Sequence, residues 1–165
     1  MPHVETQVSI DAPREVVWKI AQDVEKLPAL LPDLDKVKVL ERQELTSATT
    51  RTVTDWQGRI KQFNRQMWWT EEDIWNSETY TCHFWQLRGD FTEYRGEYSF
   101  KEEDSKTQVS LAIDYQFDIP LIGKMMQKVI LKLMQENCEA NVKALKDEAE
   151  RQVKIQSTSI NANES

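Results

Sequence analysis

Residues 107–146 read TQVSLAIDYQFDIPLIGKMMQKVILKLMQENCEANVKALK, and the period of their apolar positions changes once, around Asp118-Ile119-Pro120. Before that point Val109, Leu111, Ile113, Tyr115 and Phe117 alternate with Gln108, Ser110, Ala112, Asp114 and Gln116. A period of two with one dry and one wet face predicts a strand over 107–117. After it, Ile122, Met125, Met126, Val129, Ile130, Leu133, Met134, Cys138, Val142 and Leu145 form a stripe opposite Lys124, Lys128, Lys132, Gln135, Glu139, Lys143 and Lys146. That spacing predicts one long amphipathic helix over about 120–150. Past Arg151 the sequence VKIQSTSINANES loses the stripe and gains small polar residues, so residues 151–165 are expected to be a disordered tail outside a 1–150 domain.

Working back from the last strand, residues 36–117 form a series of strand-length segments separated by turn residues, the pattern of a long antiparallel meander. Strands are expected at 36–43, 47–56, 59–70, 78–87, 91–101 and 107–117. The expected turns are Gln57-Gly58, the acidic TEED before Trp75-Asn76-Ser77, Arg88-Gly89-Asp90, and Glu103-Asp104-Ser105. Nearer the N-terminus, Val4, Thr6, Val8 and Ile10 alternate with polar residues and predict a strand over 3–10. Asp11, then Ala12-Pro13, with Val16, Val17, Ile20 and Ala21 at helical spacing, predict a helix over 13–22. The following VEKLPALLPDLDKV carries Pro28 and Pro32, which limits it to a helical stub or turn.

The bulk properties agree with one globular domain. The chain has 165 residues, 39% hydrophobic and 30% charged, with 4 Gly and 5 Pro, which excludes fibrous and disordered classes. At this length roughly 70% of the unfolded surface can be buried, enough for a core with an internal ligand. With 28 acidic against 21 basic residues the net charge is −7, and no basic stripe interrupts it, which argues against nucleic-acid and anionic-lipid partners. No apolar run approaches the ~20 residues of a bilayer span, and MPHVETQVSIDAP has no basic segment leading into an apolar one, so a soluble, unprocessed chain is expected. Cys82 and Cys138 lie far apart and form no CxxC pair, which fits reduced thiols and a cytoplasmic location. His3 and His83 sit on separate strands without neighbouring acids at ligand spacing, and GxSxG, P-loop and GxGxxG motifs are absent, so neither a metal nor a cofactor is expected.

The element order, together with SIDAPREVVWKIAQDVEKLPALLPDL, GDFTEYRGEYSF, LAIDYQF and IPLIGKMMQKVILKLMQEN, resembles the START-like helix-grip superfamily, and within it the polyketide cyclase/dehydrase and coenzyme Q-binding (SRPBCC) branch. The resemblance covers about residues 3–147. It implies an α+β fold in which a curved antiparallel sheet of about seven strands wraps around the long C-terminal helix, with two short helices after the first strand. It also implies a hollow between sheet and helix that holds a hydrophobic molecule such as a lipid, isoprenoid quinone or polyketide. Fold alone does not choose among these.

A hydrophobic cavity needs an apolar lining with a few placed polar groups. In the strand 59–70 the polar set Gln62, Asn64 and Gln66 suits solvent, which sends Phe63, Arg65, Met67 and Trp69 inward. An inward Arg65 must satisfy five donors, so it meets an acid or a ligand oxygen, unless the register slips and returns it to solvent. The resemblance adds that aromatase/cyclase relatives use a pocket arginine to polarise a carbonyl. In GDFTEYRGEYSF the family pattern puts Tyr94, Gly96, Tyr98 and Phe100 inward; the Tyr98 hydroxyl then faces the cavity or bonds to core backbone. Phe84, Tyr115, Met126 and Ile130 complete the expected lining, and Met125, Met126 and Met134 offer flexible thioethers. Glu71-Glu72-Asp73 is expected to be a solvated turn. Three functions stay open: a binder or carrier of a hydrophobic small molecule, a polyketide-type cyclase or dehydratase working through Arg65 and Tyr98, and a macromolecule-interaction module.

Overall fold

The computed structural model describes residues 1–118 and 123–163. Strand β1 (His3–Ile10) leads into helix α1 (Arg14–Gln22) and a 3-10 segment, Val24–Ala29. Six strands follow: β2 (Leu34–Glu44), β3 (Thr49–Ile60), β4 (Arg65–Asn76), β5 (Thr81–Gly89), β6 (Glu93–Glu103) and β7 (Lys106–Gln116). The long helix α2 (Lys124–Asn163) closes the chain. The start of the expected helix, positions 120–122 with Ile122 of its stripe, lies outside the described residues.

The strands form one antiparallel sheet in the order β1-β7-β6-β5-β4-β3-β2. Consecutive strands are neighbours from β2 to β7, and β1 alone crosses to pair with β7, with Val8 opposite Val109. The curved sheet carries α2 on its inner face, the helix-grip arrangement. Every inward position of β7 is buried, and Val109, Leu111 and Ile113 meet Cys138, Val142 and Leu145 of the helix in one core cluster. Trp18 of α1 plugs one end of that core, its rings 5.2 to 5.4 Å edge-on from those of Trp75, Tyr80 and Phe100. Such edge-to-face pairs add about 0.5–1.5 kcal/mol each beyond burial. The proline-bearing segment packs separately: Leu27 and Leu31 bury against Ala144 of α2, with Trp56 of β3 at their side.

Three expectations are corrected. Gln57-Gly58 is no turn: β3 runs through both, with Gly58 paired to Met67, and the chain reverses at Lys61–Asn64, where Asn64 takes the left-handed conformation (φ 46°). TEED is the middle of β4. The reversal comes later, at Ser77–Tyr80, where the Asn76 side-chain oxygen accepts from the backbone N–H groups of Glu78 (2.9 Å) and Thr79 (3.2 Å) and Tyr80 has φ 51°. Acidic residues signal a turn only when a side chain holds the backbone there, and Asn76 does so while Glu71–Asp73 do not. Finally, α2 passes position 150 and continues to Asn163. Propagating a helix adds one backbone hydrogen bond per residue without needing an apolar face, so loss of the stripe ended burial and left the helix intact. Residues 154–163 are exposed throughout.

Candidate functional site

Between the inner face of the sheet, α2 and the segment 24–34 lies a cavity of about 200 Å³. Its wall follows from strand alternation. Along β4 the residues Met67, Trp69, Glu71, Asp73 and Trp75 point the same way and all five line it. Cys82 and Phe84 contribute from β5, Tyr94 and Tyr98 from β6, Leu111 and Ile113 from β7, and Ile130, Met134, Cys138 and Leu145 from α2. Val24, Leu27 and Leu31 form the side beyond Trp56.

Gly96 explains how aromatic rings share this wall without filling it. It pairs with Phe84 in register, and a Cβ on it would stand 2.3 Å from Phe84 Cζ and 2.5 Å from the Ala112 carbonyl oxygen. The Phe84 ring therefore lies across β6, with Tyr94 at 5.8 Å on one side and Tyr98 at 5.9 Å on the other. At the far side Trp56 and Trp69 stack 5.7 Å apart, and Phe91 packs edge-on to Trp69.

The acids of TEED make a polar strip in this apolar surround. Glu71 and Asp73 are each only 5% exposed. The Trp69 indole N–H donates to Glu71 Oε2 at 2.9 Å, while the Thr52 and Thr54 hydroxyls donate to Asp73 Oδ2 at 3.2 and 3.4 Å. Thr52 is held in turn by the Trp75 indole at 3.3 Å. Burial, and then the neighbouring Asp73 charge, push the Glu71 carboxyl well above the usual range. Burial also raises Asp73 to about 6, against the opposing pull of the nearby Glu71 and of hydrogen bonds from the two threonines. The closeness of the two acids raises Glu71 and lowers Asp73, which favours a neutral Glu71 beside an ionised Asp73. Between them, Glu72 faces outward and pairs with Arg51.

Three further polar groups in the wall lack partners. The Trp56 indole N–H is buried and faces Glu71 without completing a hydrogen bond. Among the described residues the Tyr94 and Tyr98 hydroxyls also make none; burial raises both phenols. One cation borders the cavity, the exposed Arg59, whose Nη2 lies 2.8 Å from Asp35.

Of the expected lining residues the structure brings together Met67, Trp69, Phe84, Tyr98 and Ile130. Tyr115 is 2% exposed in the core but does not reach the cavity, and Met126, half-buried on the first turn of α2, and Phe63, in the turn before β4, stay outside it. Arg65 is the clearest correction. It is exposed, with its guanidinium 5.3 Å from the Phe117 ring centre, because as first residue of β4 it stands at the end of the sheet, past the cavity. Met125 is also out in solvent, whereas Met134 lines the wall. Glu71, Asp73 and Trp56 escaped sequence reasoning. The signal for the two acids was present: the alternation that turns Met67 and Trp69 inward, carried four residues further, reaches both.

The sequence matches the family described as polyketide cyclase/dehydrase and lipid transport over residues 10–141. No curated protein sequence matches it. Among solved structures, TTHA0849 from Thermus thermophilus is 32% identical and superposes with a TM-score of 0.81, covering 88% of this chain and 95% of its own. The Zhui aromatase/cyclase from Streptomyces sp. R1128 shares the fold at 22% identity, TM-score 0.80, covering 92% and 94%. A START superfamily protein from Mycobacterium smegmatis shares it at 20%, TM-score 0.73, covering 92% and 99%.

Proposed function

Because the chain belongs to the polyketide cyclase/dehydrase and lipid transport family, we propose that it binds and carries a hydrophobic small molecule in the cavity beneath α2. The observation that carries this reading is the space itself, walled mainly by tryptophan, phenylalanine, leucine and methionine side chains, with the Glu71–Asp73 strip inside and Asp33, Arg59, Asn137 and Asn141 also in its lining. Each 100 Å² of apolar ligand surface buried there contributes about 2.5 kcal/mol, so a two-ring molecule gains useful affinity from the wall alone. Polar groups inside then orient the ligand.

A second reading, a cyclase or dehydratase, draws support from one observation, the Glu71–Asp73 pair, which offers an acid and a base inside the cavity. Arg65, outside the lining, takes no part in that version. Native mass spectrometry of protein purified from its own host separates the two: a carrier retains an unchanged molecule, an enzyme converts it on incubation.

The binding site is tested by filling it. Met134→Trp places a large ring in the cavity from the half-buried face of α2, and it should abolish binding of the neutral dye Nile red while the melting temperature stays within a few degrees. Undiminished dye binding by a folded variant would refute the cavity as the ligand site.

A further inference from the structure

Buried donors and acceptors are nearly always paired, and each exception in a native wall calls for a partner from outside the protein. Here one such exception, the Trp56 N–H, and two unpaired tyrosine hydroxyls on half-buried residues converge on one cavity. The Trp56 N–H and the Tyr94 and Tyr98 hydroxyls have no hydrogen-bond partner among the described residues, and all three residues line the same space. They flank the two acids, since Trp56 stacks on the Trp69 ring whose N–H holds Glu71, and both phenols lie close enough to Glu71 to feel its charge. An apolar ligand without oxygen would bury these groups and leave them unsatisfied, at a cost that a matching acceptor removes.

Resting on the carrier reading above, we propose that this strip receives the oxygen of an uncharged ligand, a ketone-type carbonyl, and turns away ligands that end in a carboxylate. Two features set the sign of the discrimination. First, the one fully buried unpaired group, the Trp56 N–H, can only donate, and both phenol hydroxyls can donate as well, which suits an acceptor oxygen. Second, the wall already holds two buried carboxyl groups, besides Asp33 paired with Lys61, and offers a carboxylate no free cation: Arg59, the one basic residue among the described lining, is exposed and engaged by Asp35. A third carboxyl brought beside Asp73 in a water-poor space is driven to protonate or leave. An ammonium group fares little better, because it would leave water for a site in which Asp73 already accepts from the Thr52 and Thr54 hydroxyls.

The test uses one skeleton with four ends: naphthalene, 2-acetylnaphthalene, 2-naphthoate and 2-naphthylmethylammonium, each measured by displacement of Nile red at pH 7. The ketone should bind at least tenfold more tightly than either ion and several-fold more tightly than naphthalene. Tyr98→Phe and Trp56→Phe should each weaken the ketone three- to tenfold and leave naphthalene unchanged. Tyr98→Phe deletes only a hydroxyl, so it keeps the test valid should the larger Trp56 change disturb folding. If naphthalene binds as well as the ketone, the carrier reading stands and the carbonyl assignment falls. The assignment also falls if 2-naphthoate or the ammonium binds best, or if both variants treat ketone and naphthalene alike. If Nile red and all four compounds fail to bind, both readings fall together.

Discussion

Asp73 and Glu71 set the pH behaviour of this protein, and the sign follows from the direction of their shifts. Both carboxyls titrate higher in the fold than in the unfolded chain, Asp73 at about 6 and Glu71 well above its usual range. The native state therefore holds protons that the unfolded state releases, and these two groups erode stability as pH climbs from about 4, the unfolded carboxyl range, through 6 and beyond. Glu71→Gln copies the protonated acid, keeps an acceptor for the Trp69 N–H and a donor for Asp73, and removes that erosion. It should raise stability at pH 7 and change it by almost nothing at pH 4, measured as melting temperature across that range. An equal gain at both pH values would show that Glu71 is charged or solvated in the fold. Gly96→Ala should act oppositely and without pH dependence. Its methyl group meets the Phe84 ring and the Ala112 carbonyl oxygen, an overpacking worth about 1–3 kcal/mol of lost stability. Arg65→Met should leave the melting temperature unchanged, since the side chain is exposed and lies outside the cavity lining.

Helix α2 has two parts with different energetics. Up to Ala149 it supplies buried Ile130, Cys138, Val142, Leu145 and Ala149 to the core. Leu145→Ala, at a position 3% exposed, should cost about 2–5 kcal/mol. Beyond Arg151 only Gln152 and Val153 are half-buried, Val153 against the edge of the core, and 154–163 are exposed, so truncation after Arg151 should move the melting temperature by no more than a degree or two. A fall of several degrees would mean that 152–163 dock on the domain. Strand β4 carries the opposite lesson about reading elements. Its inward positions run Met67, Trp69, Glu71, Asp73, Trp75, and the polar residues among them interrupt the hydrophobic pattern without interrupting the strand. An acid facing a cavity obeys the same alternation as an apolar neighbour, which is why the turn expected at TEED lay several residues too early.

For the molecule as a whole, the two thiols report on whether the cavity opens. Cys82 and Cys138 are free, buried and part of its lining. Burial pushes Cys138 up to about 12 and Cys82 well above its usual value, which leaves little reactive thiolate at neutral pH. Ellman's reagent should titrate two thiols per chain at once in denaturant and far more slowly in the native state. Fast native labelling would show that sheet and helix part readily. The sequence alone determined the kinds of elements and their order, because the change from period two to period 3.6 near Asp118 and the alternation in β1 and β7 are local consequences of which faces must be dry; their helix-grip arrangement was what the family resemblance implied. Five of the expected wall positions line the cavity: Met67 and Trp69 follow from parity, Ile130 from helical spacing, Tyr98 from the family resemblance, and Phe84 was expected with them. Tertiary structure decided what those signals do not encode. Parity tells which side of a sheet a residue takes and says nothing of how far along the strand the cavity extends, so Arg65 and Tyr115 point in the expected sense and miss it. Nor does polarity reveal burial: Glu71 and Asp73 are inside because Trp69, Thr52 and Thr54, from two strands, bring donors that make an enclosed acid pair tolerable.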